Sequence, residues 1–455
     1  MTTIIPGNII DVAERLKGTV QFQSIITSPP YWMLRNYGTP PQFWPGHPYI
    51  PMAGLPAVYY PDWTGELGME PDVNMFIGHL VFCFQALRPL LRDDGVLYIN
   101  LGDSYIGNCK GSGGGDRCML QGRSQNNSLY ENRAEKRSQY LKSKQRVGVP
   151  WRFAMAMQAA GWYWRDEIIW AKKSPMPGSQ KDRCTVAHEV ILMFSKKKRY
   201  FWDRHAIHEP CTGGAHHRGK GKTPKSGDNA FGVRNNDSFS DAVKDLVLTR
   251  NPRSVWTIAS EPTKIKHFAS WPTALAIKMI KASTSEHGCC SECGAPWQKV
   301  LEMERHATRP GTNSKVGTYP KQVGGWAKDD APHTAIGYNT EEYRLKGNAS
   351  RLHINHGRKN QEHNGMIVGN RDPRRHITQL ICVGWEPTCK CNASIVPCKV
   401  LDPFGGTGKT ALAAERLHRD CTLIELNEEY ASIAKERLEQ LRRKECGELF
   451  ANNNG

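Results

Sequence analysis

The sequence predicts an α/β fold with a mostly parallel sheet, and three observations carry that prediction. Short apolar runs alternate with amphipathic helical stretches along most of the chain, which is typical of layered α/β proteins. A proline-rich loop follows one predicted strand near the N-terminus, and a glycine-rich loop follows another near the C-terminus. Folds of this class place such loops at the carboxyl ends of their strands, where ligands bind.

Each predicted strand is a short apolar run bounded by turn residues. The predicted strands are Gln23–Thr27, Gly95–Asn100, Tyr163–Trp170, Glu189–Phe194, Cys398–Leu401 and Cys421–Leu426. Each predicted helix repeats apolar residues at intervals of three and four. The predicted helices are Phe76–Leu91, Trp151–Ala160, Trp271–Ala282, Thr410–Leu417 and Glu428–Arg443. A lysine-rich turn between Glu189–Phe194 and Tyr200–Trp202 predicts that these two segments form an antiparallel hairpin.

The chain of 455 residues carries a net charge of +17, and the positive charge is unevenly distributed. Lys and Arg outnumber Asp and Glu by six in Gly107–Arg146, by seven in Lys196–Arg253 and by six in Lys299–His376. The rest of the chain has a net charge of −2. Solvated loops are one interpretation of these segments. The other is a surface for a polyanion, with nucleic acid ahead of an anionic membrane.

The N-terminus and the cysteines indicate a reducing compartment. Met1–Asn8 lacks the basic and apolar regions of a secretory signal, and no apolar run approaches the ~20 residues of a membrane span. Fourteen cysteines in such a chain predict reduced thiols or metal ligands. We therefore expect a cytoplasmic protein that does not act at a membrane.

The loop Asp402–Thr410 lies between a predicted strand and a predicted helix. Its glycines allow a ligand to approach the backbone and the amides of a helix N-terminus. Its last three residues resemble a phosphate-binding Walker loop, but Pro403 stands where that loop needs a glycine. The dinucleotide fingerprint fails as well, because Gly406 and Gly408 lack a third glycine. Glu425 lies at the tip of the next predicted strand, Cys421–Leu426, where a carboxylate can bind both hydroxyls of a ribose.

The loop Thr27–Trp32 reads Thr-Ser-Pro-Pro-Tyr-Trp and follows the first predicted strand. Pro29 and Pro30 fix the backbone and remove two N–H donors, which leaves carbonyls that only accept hydrogen bonds. The Pro29 carbonyl and the Ser28 hydroxyl suit an exocyclic amine, and the Tyr31 ring suits a flat heterocycle. A proline-rich turn with aromatic core residues is the alternative interpretation.

Together the two loops resemble those of the S-adenosylmethionine-dependent amino-methyltransferases of DNA. That family binds the cofactor S-adenosyl-L-methionine with an Asp-Pro-Phe-x-Gly-x-Gly loop and holds the target amine with a (Ser/Asn/Asp)-Pro-Pro-Tyr loop. The catalytic loop comes first here, which is the circularly permuted order called the β class. The resemblance implies a Rossmann-like methyltransferase fold. It also implies that the cofactor-binding residues include Asp402, Phe404, Gly406, Gly408 and Glu425.

Three other segments extend the resemblance. His267–Pro272 is similar to the segment that lines the methionine pocket, which implies a cofactor contact for His267. Pro6–Asn8 resembles a Gly-Asp turn near the cofactor adenine, with Asn8 where the family has Asp. Ala187–Phe194 is similar to the family's hairpin beside the base pocket.

The family transfers a methyl group directly to the amine of a base that is rotated out of double-stranded DNA. The implied catalytic residues are Ser28, Pro29, Pro30 and Tyr31. Ser28, in place of Asp or Asn, favours cytosine N4 as the target, with adenine N6 as the alternative. The implied partners are double-stranded DNA and a cognate restriction endonuclease.

Two short cysteine pairs predict a metal site. Cys290-Ser-Glu-Cys293 and Cys389-Lys-Cys391 are separated by 95 residues, and pairs at such spacings can each provide two ligands to a tetrahedral zinc. The predicted ligands of this structural zinc are Cys290, Cys293, Cys389 and Cys391. Similar zinc ribbons are inserted in some phage-type methylases. Reduced cysteines, or Cys289 or Cys382 as a replacement ligand, are the alternatives.

These patterns predict a core interrupted by insertions. The predicted parts are a catalytic half at 1–202 with a basic insertion at 107–146, a candidate DNA target-recognition region at 203–253, a core helix segment at 254–288, a cysteine-flanked basic insertion at 289–397, a cofactor-binding half at 398–446 and a tail at 447–455. Two other function classes fit the sequence less well. A zinc-dependent DNA-binding protein with an inactive methyltransferase core conflicts with the two intact loops, and a nucleotide hydrolase conflicts with Pro403. RNA or protein-glutamine methylation also uses proline-rich amine pockets, but the basic insertions favour DNA.

Overall fold

The computed structural model describes residues 1–34, 37–106, 140–175, 177–178, 180–211, 246–261, 271–307 and 376–452. The chain divides into two compact units. The first unit comprises Met1–Ile207, Pro252–Gln298 and Glu386–Gly455, and the second comprises His208–Asn251 and Lys299–Trp385. Most residues of the three basic segments lie outside the described residues. All predicted catalytic residues, and the predicted cofactor residues that the structure describes, belong to the first unit.

The first unit is built on an eight-stranded sheet. Its strands in chain order are β1 (Thr2–Pro6), β2 (Phe22–Thr27), β3 (Leu91–Leu101), β4 (Tyr163–Lys172), β5 (His188–Ser195), β6 (Val255–Ile258), β7 (Lys399–Asp402) and β8 (Asp420–Glu425). Their order across the sheet is β1-β8-β7-β2-β3-β5-β4-β6. Only β5 runs antiparallel to its neighbours, β3 and β4, among the described pairings. The predicted α/β fold with a mostly parallel sheet is confirmed.

Six helices accompany the sheet in the described residues. They are α1 (Ile9–Leu16), α2 (Val73–Leu87), α3 (Val149–Ala159), α4 (Thr273–Ser283), α5 (Lys409–Arg416) and α6 (Glu428–Asn452). Successive residues of a strand point to opposite faces, and the core divides accordingly. Ile25 of β2 packs in a cluster with side chains of α1, α2 and α3, whereas Ile26 packs in a second cluster with side chains of α4, α5 and α6. The sheet is therefore the middle of three layers.

The apolar character of β2 and α2 follows from their positions in this arrangement. All six residues of β2 are buried, as expected of a central strand covered by helices on both faces. Asp72 caps α2, since its carboxylate accepts a hydrogen bond from the Asn74 N–H at 2.8 Å. Val73–Leu90 has the length and apolar composition of a membrane span, contrary to our expectation from sequence, but 67% of it is buried inside the protein, as in a core helix.

The predicted hairpin was wrong in its second strand. Glu189–Phe194 lies within β5 as expected, but Tyr200–Trp202 forms no strand. The reason is that β3 and β4 occupy both edges of β5, so no edge is left for residues 200–202. The antiparallel hairpin consists instead of β4 and β5.

Several elements were not predicted from the sequence, although α1 does repeat apolar residues at intervals of three and four. They include β1, α1 and β6. Two short antiparallel ladders also precede α2, formed by Gln42–Trp44 with Trp63–Gly65 and by His47–Tyr49 with Val58–Tyr60. A further small ladder pairs Cys289–Cys290 with Ile395–Val396. These additions matter because Gly7 and Asn8 after β1, Ile9 of α1, and Gln42 and Trp44 of the first ladder line the cavity described below.

The second unit contains its own small sheets. Glu209–Pro210 pairs antiparallel with Thr249–Arg250. Leu246–Val247, His376–Pro387 and Trp297–Ala307 form a three-stranded sheet in that order, and the last two strands begin or end in the first unit. The second unit thus combines chain from the predicted segments 203–253 and 289–397.

Candidate active site

The two loops singled out from the sequence leave the sheet side by side. β2 and β7 are parallel neighbours, with Ile25 opposite Leu401, so their carboxyl ends lie at the same edge. The Thr27 hydroxyl, at the end of β2, donates a hydrogen bond of 2.7 Å to the Asp402 carboxylate at the end of β7. The proline loop and the glycine loop therefore start from a shared, buried contact.

Both loops line one cavity of about 1210 Å³, a volume that includes the open space at its mouth. The predicted residues that line it are Asn8, Ser28, Pro29, Pro30, Tyr31, Asp402, Phe404, Gly406 and Glu425. Gly408 lies behind this wall, at the N-cap of α5. His267 lies outside the described residues, but Trp271, at the end of the same segment, lines the cavity.

Asp402 holds the base of the glycine loop. Its carboxylate accepts hydrogen bonds from the Thr27 hydroxyl, from the Thr410 hydroxyl at 2.6 Å and from the Phe404 N–H at 3.2 Å. The side chain is only 3% exposed. Burial raises the pKa of Asp402 to about 6, although the three hydrogen bonds favour the ionised form. Asp402 thus connects β2, β7 and α5 at the floor of the cavity.

Gly408 turns the chain into α5 in a conformation that favours glycine. Its φ is +79°, and a Cβ built there would lie 2.9 Å from the Cβ of Ala434 on α6. Both the backbone angle and the close helix therefore exclude a side chain. The turn presents the loop to the cavity with α5 starting directly behind it.

Glu425 closes the loop from the neighbouring strand. One carboxylate oxygen accepts a hydrogen bond from the Gly406 N–H at 2.6 Å, and the other accepts one from the Asn427 N–H at 2.8 Å. Burial raises the pKa of Glu425 above its usual range. Each oxygen keeps a further lone pair, so the two oxygens can accept hydrogen bonds from two vicinal hydroxyls.

Asn8 caps α1 at the same edge of the sheet. Its side-chain oxygen accepts a hydrogen bond from the Ile10 N–H at 2.7 Å, and its amide donates one to Gln42 at 2.8 Å. Gln42 also lines the cavity, together with Trp44 from the first short ladder. Sequence reasoning missed both residues, because the segment around them has no regular apolar pattern.

Lys409 lines the cavity without being available to a phosphate. It is 7% exposed and forms an ion pair with Glu261, whose carboxylate also accepts a hydrogen bond of 2.8 Å from the Thr273 N–H. A Walker lysine has to reach the phosphates of its nucleotide. The nucleotide-hydrolase alternative is therefore disfavoured twice, because the loop has Pro403 at the position of the first Walker glycine and its lysine is paired with Glu261.

The proline loop is fixed on both sides of Tyr31. The Tyr31 hydroxyl donates a hydrogen bond of 2.8 Å to Glu189 and accepts one of 2.9 Å from the Asn100 amide. Trp32 is 7% exposed, packs in the core and donates a hydrogen bond of 3.0 Å to the Glu70 carbonyl. Tyr31 is thus the aromatic residue of the loop that faces the cavity, and Trp32 anchors the loop to the core.

The four predicted metal ligands come together in space. The Sγ atoms of Cys290, Cys293, Cys389 and Cys391 all lie within 4.8 Å of one another. Gly294, with φ +68°, turns the chain after the first pair, and its N–H donates a hydrogen bond of 2.8 Å to the Cys290 carbonyl. The other candidate ligands are directed elsewhere, since the Sγ of Cys289 contacts the Pro397 carbonyl and that of Cys382 contacts the Gly384 carbonyl. The cluster has the ligand set and spacing of a tetrahedral zinc site.

Comparison with known proteins gives a consistent result. A family model described as DNA methylase, of the N6/N4 type, matches residues 22–290 and 397–436. Type II methyltransferase M.SmaI of Serratia marcescens is 28% identical over 441 residues, which cover 97% of this chain and 91% of that protein. Type II methyltransferase M.Cfr9I of Citrobacter freundii is 31% identical over 283 residues, which cover 62% of this chain and 72% of that protein.

Solved structures of similar proteins were also found. The PvuII DNA methyltransferase, described as cytosine-N4-specific, aligns with a TM-score of 0.41 and 12% identity over 95% of this chain and 85% of its own. The M1.HpyAVI–SAM complex aligns with a TM-score of 0.37 and 13% identity over 96% of this chain and 100% of its own. On the match to the family model and to the Citrobacter freundii relative, the chain belongs to the N6/N4 family of DNA methylases.

Proposed function

We propose that this chain methylates the exocyclic N4 amine of cytosine in double-stranded DNA, with S-adenosyl-L-methionine as the methyl donor. The observation that carries the proposal is the shared cavity. The Ser28–Tyr31 loop and residues Asp402–Thr407 of the glycine loop line the same space and are joined at its floor by the Thr27–Asp402 hydrogen bond. An amine held by one loop and a cofactor held by the other would therefore meet.

The cavity wall fits the proposed cofactor in its chemistry. Glu425 offers two partly buried carboxylate oxygens for ribose hydroxyls, and Phe404 and Trp271 offer apolar surface for the adenine or methionine parts. Asn8 offers a polar side chain at the same rim. When bound, S-adenosyl-L-methionine supplies a methyl group on a sulfonium, which a neutral amine nitrogen can attack in line.

The residues of the proline loop suit the other substrate. The Ser28 hydroxyl and the Pro29 carbonyl can accept the two N–H bonds of an exocyclic amine, and the prolines present no competing N–H. As positive charge develops on the amine nitrogen, the carbonyl dipole stabilises it. The Tyr31 ring would stack on the base, which has to leave the duplex to reach the cavity.

Cytosine is the proposed base because Ser28 stands at the first position of the loop, as in the cytosine-N4 branch that the sequence resembles. Adenine N6 is the alternative with the same chemistry. One experiment separates them. Purified protein is incubated with unmethylated genomic DNA and labelled S-adenosyl-L-methionine, and the modified nucleoside is identified by mass spectrometry. Labelled N4-methylcytosine supports the proposal, labelled N6-methyladenine replaces cytosine by adenine, and no labelled base contradicts the proposed activity.

A matched pair of variants tests the proposed stacking role in the same assay. Tyr31→Ala is expected to keep affinity for S-adenosyl-L-methionine in calorimetry while methyl transfer falls by at least about a hundredfold, because the base is no longer held. Tyr59→Ala is the control, since Tyr59 is 67% exposed on a short ladder. Full transfer by Tyr31→Ala would exclude the stacking role.

We also propose that the four-cysteine cluster binds a structural zinc ion. The ladder of Cys289–Cys290 with Ile395–Val396 brings the two cysteine pairs together although they are far apart in sequence. The carbonyls next to the first pair are bound to the sheet, since Gly294 accepts a hydrogen bond of 2.8 Å from Gln23 and Cys293 accepts one from Arg92. Zinc would therefore fasten the chain that enters and leaves 299–385 to the core. The segment 291–396 lies outside the match to the family model.

A further inference from the structure

A polar network lies behind the Tyr31 ring and involves residues that the proposed function does not yet use. The Glu189 carboxylate accepts hydrogen bonds from the Tyr31 hydroxyl at 2.8 Å and from the Asn100 amide at 2.8 Å on the same oxygen. Its other oxygen accepts a hydrogen bond of 2.6 Å from the Lys172 ammonium. Asn100 also donates to the Tyr31 hydroxyl at 2.9 Å, so the network forms a closed triangle with one ion pair attached.

The sheet topology explains why these four residues meet. Tyr31 follows β2, Asn100 is near the end of β3, and Lys172 ends β4. Because β5 is antiparallel to β3 and β4, its first residues lie at the edge where those strands end. Glu189 is the second residue of β5, so its carboxylate reaches the edge that carries the two loops. The one antiparallel strand of the described sheet therefore delivers an acid to the catalytic edge.

The ring of Tyr31 is confined on a second side by Gly102. A Cβ built on Gly102 would lie 2.4 Å from Cε2 and 2.7 Å from Cδ2 of that ring, so the ring rests against the Gly102 backbone. The hydroxyl is held at the tip of the side chain and one part of the ring is held against the main chain. A tyrosine restrained in this way has little freedom to rotate away from the cavity that it lines.

The protonation state of Tyr31 agrees with its hydrogen bonds. Burial and the neighbouring Glu189 carboxylate raise the pKa of Tyr31 well above its ordinary value, so the phenol stays protonated and donates. The Lys172 ammonium gives Glu189 a counterion in a partly buried position, with the two side chains 27% and 16% exposed. A hydrogen bond to a charged acceptor is stronger and shorter than one between neutral groups.

We propose that Glu189 is a positioning residue that orients the Tyr31 ring for stacking on the target base, and that Lys172 and Asn100 hold Glu189 in place. This inference rests on the proposed role of Tyr31 as the stacking residue. Glu189 acts through the Tyr31 hydroxyl and is not assigned a contact with substrate. The competing explanation is that the Lys172–Glu189 ion pair only joins β4 to β5, which would stabilise the sheet without affecting methyl transfer.

A double-mutant cycle between Glu189→Gln and Tyr31→Phe separates these explanations. Tyr31→Phe keeps the ring and removes only the hydroxyl. The measured quantity is the single-turnover rate of methyl transfer to saturating unmethylated genomic DNA, with thermal unfolding and S-adenosyl-L-methionine affinity measured in parallel. Each single variant is expected to lower the rate by about tenfold, and the double variant is expected to be no slower than the slower single variant.

The control is Glu167→Gln, a carboxylate on β4 that accepts hydrogen bonds from Trp151 and does not contact Tyr31. It should transfer methyl groups at the wild-type rate. A wild-type rate for Glu189→Gln overturns the inference. So does a result in which Glu189→Gln lowers the rate by the same factor in the wild type and in Tyr31→Phe. If Glu189→Gln does not fold, the rate of Tyr31→Phe tests the inference by itself. A wild-type rate for Tyr31→Phe would overturn it, because Glu189 is proposed to act through the Tyr31 hydroxyl. If Tyr31→Ala is itself fully active, the proposed function of Tyr31 fails first; if Tyr31→Ala is inactive while Glu189→Gln is unaffected, only this inference fails.

Discussion

The hydroxyl of Thr27 donates a hydrogen bond of 2.7 Å to the carboxylate of Asp402, across 375 residues of sequence. Thr27 ends the strand before the proline loop, and Asp402 ends the strand before the glycine loop. Both side chains are buried. A single buried contact therefore joins the starts of the two loops, and Thr27 can be changed without altering any residue that lines the cavity.

Thr27→Val tests that contact. Valine has nearly the same shape, but it leaves a buried carboxylate with one partner fewer, which is expected to lower the free energy of unfolding by about 1–3 kcal/mol. Affinity for S-adenosyl-L-methionine should also fall, because the glycine loop is less well fixed. Urea unfolding and calorimetric titration measure the two effects.

The matched control is Thr19→Val. The Thr19 hydroxyl also donates a hydrogen bond of 2.7 Å, to the Leu16 carbonyl, but in an exposed turn where water can replace it. If the two variants unfold at the same urea concentration, the Thr27–Asp402 hydrogen bond adds no more to the free energy of unfolding than the exposed Thr19 hydrogen bond does.

Asp402→Asn should change how stability depends on pH. Burial raises the pKa of Asp402 from 3.8 to about 6, so the folded protein binds a proton more readily than the unfolded chain does. Ionisation of Asp402 therefore costs wild-type stability as the pH rises from about 4 to about 6, by an amount on the order of 3 kcal/mol. Asparagine does not titrate, so the variant lacks this loss. Its free energy of unfolding should therefore rise relative to that of the wild type as the pH increases over this range.

Urea unfolding of both proteins at several pH values between 4 and 8 checks this sign. The difference between the two unfolding free energies should be constant above about pH 7, where Asp402 is fully ionised. Parallel pH profiles for the two proteins would show that Asp402 is not the titrating group.

Gly408→Ala should be costly for two separable reasons. The positive φ of Gly408 disfavours any side chain by about 1–2 kcal/mol, and the contact with Ala434 at 2.9 Å adds an overpacking penalty of about 1–3 kcal/mol. Gly18→Ala isolates the first reason, since Gly18 has φ +76° with no atom within 4 Å of its Cβ position. Chemical denaturation should therefore rank wild type above Gly18→Ala and Gly18→Ala above Gly408→Ala. Equal losses in the two variants would mean that α6 moves aside without cost.

Cys389→Ser should abolish zinc binding. Protein purified without chelator is expected to contain about one zinc ion per chain, and the variant is expected to contain none and to unfold at a lower temperature. Cys184→Ser is the control, because Cys184 is exposed and lies outside the cluster. Elemental analysis and thermal unfolding provide the measurements. Wild-type protein without zinc, and insensitive to added zinc, would leave the cluster as four reduced thiols.

The parts of the site that could be predicted from sequence depend on local chemistry. Glycine and proline at fixed spacings determine the backbone of the two loops, and continuous apolar runs such as Phe22–Thr27 mark the central strands. Short cysteine spacings likewise indicated a cluster that the structure brings together. In each of these cases a few neighbouring residues carry the information.

The parts that could not be predicted depend on contacts between distant segments. The meeting of Glu189 with Tyr31 follows from the antiparallel placement of β5, which no local pattern encodes. Tyr200–Trp202 has the composition of a strand, but it cannot pair with β5 because β3 and β4 already pair with the two edges of β5. Gln42 lines the cavity in a short ladder and accepts a hydrogen bond from the amide of Asn8, the N-cap of α1. Register and occupancy of sheet edges are properties of the whole fold.

Glu425→Gln should weaken binding of S-adenosyl-L-methionine by about tenfold or more. The two carboxylate oxygens of Glu425 accept hydrogen bonds from the Gly406 and Asn427 N–H groups, and a glutamine would direct its NH₂ group at one of those donors. The loop would have to rearrange, and the site would lose one acceptor for the ribose hydroxyls. Glu429→Gln removes the same charge from an exposed position four residues away and should bind the cofactor as the wild type does. Calorimetric titration of both variants measures the difference. Equal affinities would show that the Glu425 carboxylate neither shapes the glycine loop nor contacts the cofactor.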